Sequence, residues 1–345
     1  DNSFTRLVYG FDYLLDKTSQ PLVDGRYWVP NLTSNNEAIF LQTKTTLSKD
    51  LNIKVGARYD IIDVNVPNYD ILRTKKSAPE VHVKGGNLKY NNLSFNAGIS
   101  YNKCRVFQPF IAYSQGFSIF DLGRTLRAAK EDVLSKILTE PVKTDNYEIG
   151  AYSDINRWLQ LNGAFFYTYS KLGSDLKINK AGFWEVNRTP QKVYGIELNA
   201  DAQLLNNLKA GANFTWFEGK IKDTYGQWSR YMSNISIPAA KFAMYIDYSP
   251  VKNAYLQLHY IHSGNRDRFQ PIDDGKYNEG EGKISSFNLL NFTAGYKLNS
   301  WDINLGISNL LNNTYYTTTS MLMARDAEYA HADGRKISLT VTFKY

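Results

Sequence analysis

Over long stretches of this chain apolar and polar residues take turns with a period of two, which places successive side chains on opposite faces of an extended strand. The clearest case puts Leu51, Ile53, Val55, Ala57, Tyr59 and Ile61 on one face and Asn52, Lys54, Gly56, Arg58 and Asp60 on the other. The same alternation runs through Trp301–Ser308 and closes the chain in Lys336–Tyr345. The pattern predicts about fourteen strands: Arg6–Leu15, Ala38–Leu47, Leu51–Ile61, Leu93–Tyr101, Val106–Gly116, Asn146–Ser153, Trp158–Tyr169, Val193–Gln203, Leu208–Phe217, Phe242–Tyr248, Ala254–Ile261, Phe287–Leu298, Trp301–Leu310 and Lys336–Tyr345.

The connections come in two lengths. Ser48–Asp50, Asn102–Arg105, Asp154–Asn156, Leu204–Asn207, Ser249–Asn253 and Asn299–Ser300 are clipped turns, whereas Asp63–Asn92, Ser118–Glu140 and Asp223–Pro238 are long. Tight turns on one rim and long loops on the other, joined by an even number of strands, describe a transmembrane antiparallel β-barrel. A propeller would need self-similarity at a fixed period, and none is visible. In Ser118–Glu140 the residues Leu122, Leu126, Ala129, Val133 and Ile137 recur at helical spacing instead, which predicts one short amphipathic helix whose stripe serves packing. A loop holding Pro21, Gly25, Tyr27, Trp28 and Pro30 is expected after the first strand.

Composition supports a barrel. A soluble chain of 345 residues would suggest two or three domains, but one large barrel absorbs that length. Aromatics make up 14% of the residues, mostly 25 Tyr and 18 Phe, although mean hydropathy is −0.41 and 21% of residues are charged. Aromatic girdles at two membrane interfaces account for that excess, because Tyr is apolar in its body and polar at its tip. No apolar run of about eighteen residues exists, so transmembrane helices are excluded and a closed barrel is the remaining membrane architecture. The net charge of +7 favours anionic ligands or reflects lysines at turns. The chain opens at Asp1 without a leader pattern, the expectation for a mature product or a fragment. Cys104 falls in a predicted turn and has no second cysteine to pair with.

Catalytic and metal chemistry find little support. His259 and His262 are three apart in a strand and so face opposite ways, while His82 and His331 stand in loops without a cluster. Loop 273–282 offers oxygen ligands suited to calcium but lacks the full twelve-residue EF-hand spacing, and a solvated loop is the expectation. Neither a phosphate-binding G-x-x-x-x-G-K-[ST] nor a nucleophile-elbow G-x-S-x-G occurs. The chain is therefore expected to be no enzyme and to hold no metal or cofactor of its own.

Asn309-Leu310-Leu311-Asn312-Asn313-Thr314-Tyr315-Tyr316, followed by Gly334-Arg335 and the terminal strand, resembles the C-terminal signature of TonB-dependent outer-membrane receptors. Tyr9–Tyr13, Gly56–Asp60, Phe110–Phe117, Asp145–Gly150 and Tyr194–Leu198 fit the same family in the same order, and Asp121–Arg127 is similar to its ferric-siderophore branch. The resemblance implies a bacterial outer-membrane barrel of twenty-two strands, with Asn309–Asn312 on the penultimate strand and iron entering only within a bound siderophore. It also implies a TonB-type energy transducer acting through a plug. No plug or coupling box is visible, so residues 1–345 are expected to be the last two-thirds of such a barrel, with the plug and first strands absent. A passive diffusion channel remains the alternative. Lumen-facing Arg58, Asp60, Glu148, Glu197 and Asp201 are expected to brace a plug. Loop residues Tyr27, Trp28, Phe117, Arg124, Arg127, Tyr225, Trp228, Arg230, Arg268 and Tyr277 suit a flat, often anionic ferric chelate through stacking, cation–π contacts and charge-assisted hydrogen bonds.

Overall fold

The computed structural model describes residues 4–72, 80–119, 121–137, 140–173, 175–178, 184–223, 225–234, 236–268, 282–323 and 329–345. Among them fourteen long strands follow the predicted order: β1 Phe4–Pro21, β2 Tyr27–Thr46, β3 Leu51–Val66, β4 Gly86–Tyr101, β5 Gln108–Ser118, β6 Val142–Ile155, β7 Leu159–Ser170, β8 Gln191–Leu205, β9 Leu208–Ile221, β10 Lys241–Tyr248, β11 Ala254–Ser263, β12 Phe287–Leu298, β13 Trp301–Ser308 and β14 Lys336–Phe343. They join one sheet in chain order, with the short strand Arg230–Tyr231 added beside β9. The chain divides into two compact units, Asp1–Tyr101 with Ile111–Tyr147 and Thr168–Lys192, and Asn102–Phe110 with Glu148–Tyr167 and Val193–Tyr345.

In the first unit the antiparallel register carries rows of side chains straight across four strands. One row is Phe11, Ile39, Tyr59 and Leu93; the next is Tyr9, Leu41, Ala57 and Phe95. Most of these apolar side chains are exposed, so the face is built for a non-aqueous solvent. The band runs from the row of Leu51 and Tyr101 to that of Ile61, ten residues along β3. At about 3.3 Å per residue and a tilt of about 45° this spans about 23 Å, the height of a barrel's hydrocarbon belt. The following row, Leu15, Asn35, Asp63 and Lys89, is largely polar, and Lys89 lies 3.7 Å from Asp63.

The strands outrun the prediction above that band. Tyr27, Trp28 and Pro30 lie within β2, not in a loop, and Asp63–Val66 and Gly86–Asn92 belong to β3 and β4. The reason is packing. The β3 face that carries Lys54, Gly56, Arg58 and Asp60 turns apolar at Ile62, Val64 and Val66, which are buried with Val29, Leu32, Val83, Tyr90, Leu126 and Leu134. Sequence alternation shows which residues share a face but not that a loop will fold down to cover it.

That covering loop also corrects the helix expectation. Among that loop's described residues only α1, Leu122–Arg127, is α-helical, followed by a single 3-10 turn at Leu134–Lys136, and a second short helix that the pattern did not predict, α2, spans Thr318–Met323 between β13 and β14. Asp121 caps α1 by accepting from the Arg124 amide at 3.1 Å. Farther on, the Lys84 amide donates to the Asp132 carbonyl at 2.8 Å and Val133 bridges to Lys84, so this backbone is drawn into strand pairing before the helix can continue.

In the second unit one row runs Ala210, Ile246, Leu258, Phe292, Ile307 and Ile337, and its neighbour on the opposite face runs Lys209, Asp247, Gln257, Thr293, Gly306 and Ser338. His259 lies in register with Tyr245 and Asn291, His262 with Phe242 and Asn288, so the two histidines do fall on opposite faces. The two-residue turn between β12 and β13 places Asn299 at a φ of 52°, a left-handed conformation Asn tolerates. Asn309–Asn312 departs from the expectation: β13 ends at Ser308, and Asn309 and Asn312, at φ of 49° and 54°, turn the chain. Asn309 is buried, and its side chain exchanges hydrogen bonds with both backbone groups of Asn313. The motif is therefore a pin and not part of the strand.

Candidate functional site

Five of the predicted loop residues, Tyr27, Trp28, Phe117, Arg124 and Arg127, belong to the first unit. The Arg127 guanidinium lies 4.7 Å over the Trp28 ring, Arg124 Nε is 3.2 Å from Asp121, and Phe117 packs against the buried cluster beneath α1. Tyr27 opens β2 opposite Pro21 and is exposed. The Tyr69 hydroxyl donates to the Leu126 carbonyl at 2.9 Å and fastens the end of α1, and burial pushes that phenol well above its ordinary value. Burial, with Arg124 nearby as a second cause, lowers the Arg127 guanidinium from its usual value. Gly123 allows the close approach: a Cβ there would stand 2.9 Å from Val29 Cγ1. This surface presents a cation stacked on an indole, a geometry that suits a flat anionic group.

The second unit holds Trp228, Arg230 and Arg268, with Tyr225 standing out into solvent. Asp223 organises the hairpin: it accepts from the Tyr225 amide at 2.9 Å, the Gln227 amide at 2.8 Å and the Ser229 hydroxyl at 2.5 Å. Those bonds, the Ser229 hydroxyl first, hold its carboxyl below the usual range. Lys222 rests 5.4 Å over Trp228, and Arg230 sits opposite Ile221. Tyr277 and all of loop 273–282 but Gly282 lie outside the described residues.

Sequence reasoning missed the group around Glu218. This buried carboxylate takes Arg266 Nη2 at 2.8 Å and Arg268 Nε at 3.6 Å, and Arg268 lies 5.0 Å over the Tyr231 ring. A carboxylate directly after the strand run Phe214–Phe217 was the available signal, since a buried acid requires a partner.

Of the polar-face residues, Arg58 holds Asp12 at 2.5 Å and Asp60 at 3.0 Å. Asp201 accepts from the Tyr245 hydroxyl, with Lys209 Nζ at 3.6 Å. Glu197 lies opposite the exposed face of Ile196 and Leu198, and Glu148 opposite that of Tyr147 and Ile149. A cavity of about 440 Å³ opens at the short turns, lined by Gln203, Asn207, Lys209, Asp247 and Lys252 among others. Among the described residues no group of three or more His, Cys, Asp or Glu is placed to hold a metal ion.

A family model described as TonB dependent receptor-like, beta-barrel matches residues 2–310. The rhizobactin receptor of Rhizobium meliloti (strain 1021) is 23% identical over 310 residues, covering 84% of this chain and 39% of its own length. The ferric aerobactin receptor of Klebsiella pneumoniae is 23% identical over 315 residues, covering 85% and 40%. Among solved structures, the copper transporter OprC superposes with a TM-score of 0.80 at 14% identity, over 99% of this chain and 54% of that one. The ferric-catecholate import receptor Fiu of E. coli K12 does so at 0.71 and 14%, over 99% and 51%. The chain thus spans about two-fifths of the length of the curated relatives it matches.

Proposed function

Because the chain belongs to the TonB-dependent receptor β-barrel family of the bacterial outer membrane, we propose that it supplies barrel wall and outer loops to a receptor that takes up ferric siderophore complexes. The observation that carries this reading is the similarity to two siderophore receptors over more than four-fifths of the chain. The family is one of receptors and transporters, and we assign no covalent step to this chain. On this reading iron passes through only as part of its chelate, and no resident metal or cofactor takes part.

Strands that rise beyond the apolar band lift the loops clear of the membrane, where Trp28 with Arg127, and Trp228 with Lys222, meet the ligand first. The wall carries Arg58, Asp60, Glu148, Glu197 and Asp201 on its polar face, and these brace a plug through which a TonB-type transducer delivers energy. The plug and the earlier strands belong to the remainder of a larger receptor.

Radiolabelled iron uptake tests the proposal in cells whose only copy of the gene is the intact receptor, compared with cells lacking the energy transducer. Saturable uptake of a ferric siderophore that vanishes without the transducer is expected. Uptake that is unsaturable and persists without it would establish a passive channel instead.

A further inference from the structure

A group of cations in the second unit sits at the edge of the apolar face and is not used in the reading above. Along β9 the even positions belong to that face: Ala210 and Ala212 are in register with Ile246 and Met244, and Trp216 lies edge-on to Tyr194 with ring centroids 6.1 Å apart. The last row of the band whose register spans four strands is Phe214, Phe242, His262 and Asn288. The same alternation carries Trp216 onto this face two residues beyond that row, and Glu218 and Lys220 four and six residues beyond it.

Glu218 does not neutralise the group. It is engaged by Arg266 at 2.8 Å, both side chains being only 6% exposed, and reaches Arg268 more loosely at 3.6 Å. Arg268 stays half-exposed and lies 5.0 Å over the Tyr231 ring, over which Lys220 also lies, at 5.2 Å. The Tyr231 ring thus positions both cations while leaving their charge for another partner. Their place at the end of an apolar face, with Trp and Tyr around them, matches the level at which lipid headgroups meet a barrel.

We infer that Lys220 and Arg268 hold the phosphate group of an anionic outer-leaflet lipid whose acyl chains lie against the apolar rows of Met244, Tyr260 and Phe242. A soluble anion would gain nothing from those rows. A lipid gains both the charge contact and the apolar one, and that continuity is why a lipid is the occupant.

The purified protein in nanodiscs of equal phosphatidylglycerol and phosphatidylcholine tests this by native mass spectrometry of retained lipid. Wild type should retain phosphatidylglycerol in excess of its share. The Lys220→Gln/Arg268→Gln variant should lose about fivefold of that enrichment for each cation removed, while Lys103→Gln/Lys252→Gln, at the short turns, should keep it. A heat-dependent gel shift confirms that each variant is folded. Equal enrichment in wild type and Lys220→Gln/Arg268→Gln overturns the inference, as does no enrichment in wild type. Complete displacement by millimolar inorganic phosphate would make this a site for soluble anions and overturn it too.

Discussion

Replacing Asn309 with alanine should destabilise the end of the sheet more than any comparable surface change. Its side chain is 4% exposed and makes three hydrogen bonds: Oδ1 accepts from the Asn313 amide at 3.0 Å, and Nδ2 donates to the carbonyls of Asn313 at 2.8 Å and Asp333 at 3.3 Å. At about 1 kcal/mol net for each bond, their loss costs about 3 kcal/mol. Alanine at a φ of 49° adds about 1 kcal/mol of backbone strain, which glycine would not. The expected order is therefore wild type, then Asn309→Gly at about 3 kcal/mol, then Asn309→Ala at about 4 kcal/mol. Urea unfolding in lipid vesicles, followed by tryptophan fluorescence and gel shift, measures both. An alanine variant within 1 kcal/mol of wild type, or one more stable than the glycine variant, would refute the pin.

Three further outcomes follow from the loops. Leu126, the fully buried residue of α1, should cost about 2–5 kcal/mol as Leu126→Ala, and limited proteolysis should then cut within 119–137 first. Glu218→Gln should be strongly destabilising, about 3–5 kcal/mol, because it leaves the Arg266 charge buried without its carboxylate; thermal unfolding in detergent checks this. The Asp223 hairpin should be pH-dependent. A carboxyl whose pKa is lowered by folding stabilises the hairpin fully above the ordinary carboxylate range, and that contribution fades as pH falls through the lowered value. Hydrogen exchange at the Tyr225 and Gln227 amides, corrected for intrinsic rate, should therefore quicken on acidification, and Asp223→Asn should reduce this response.

How far the sequence reveals this architecture depends on what sets each feature. Period-two alternation is a local property of the chain, so residues such as Ile53, Val55 and Tyr59 disclose both the strand and its apolar face, and the histidine geometry at His259 and His262 follows directly. Strand ends are not local. Ile62, Val64 and Val66 share a face with Arg58 yet are buried, because a distant loop brings Leu126 and Leu134 down upon them. The same contact ends the helix early, since Asp132 and Val133 find strand partners at Lys84. Among the loop residues, aromatic and cationic types were legible as candidates, but their pairing was not: Arg127 with Trp28 and Arg268 with Tyr231 are separated by 99 and 37 positions in the chain. Glu218 was missed because it follows a strand-like run, where its partner Arg266 lies 48 residues away.

The central claim is that one face of the sheet meets hydrocarbon and the other meets water. Small residues on both faces of β3 and β4 allow nearly isosteric probes: Ala57→Cys and Ala97→Cys on the apolar face, Ser94→Cys and Ser100→Cys on the polar one, each with the exposed Cys104 replaced by serine. Spin labels at these sites in native-like membranes report collision with oxygen, which concentrates in lipid, and with a water-soluble nickel chelate. The account predicts oxygen-dominated collision at positions 57 and 97 and nickel-dominated collision at 94 and 100. Nickel access at 57 and 97 equal to that at 94 and 100 would contradict it.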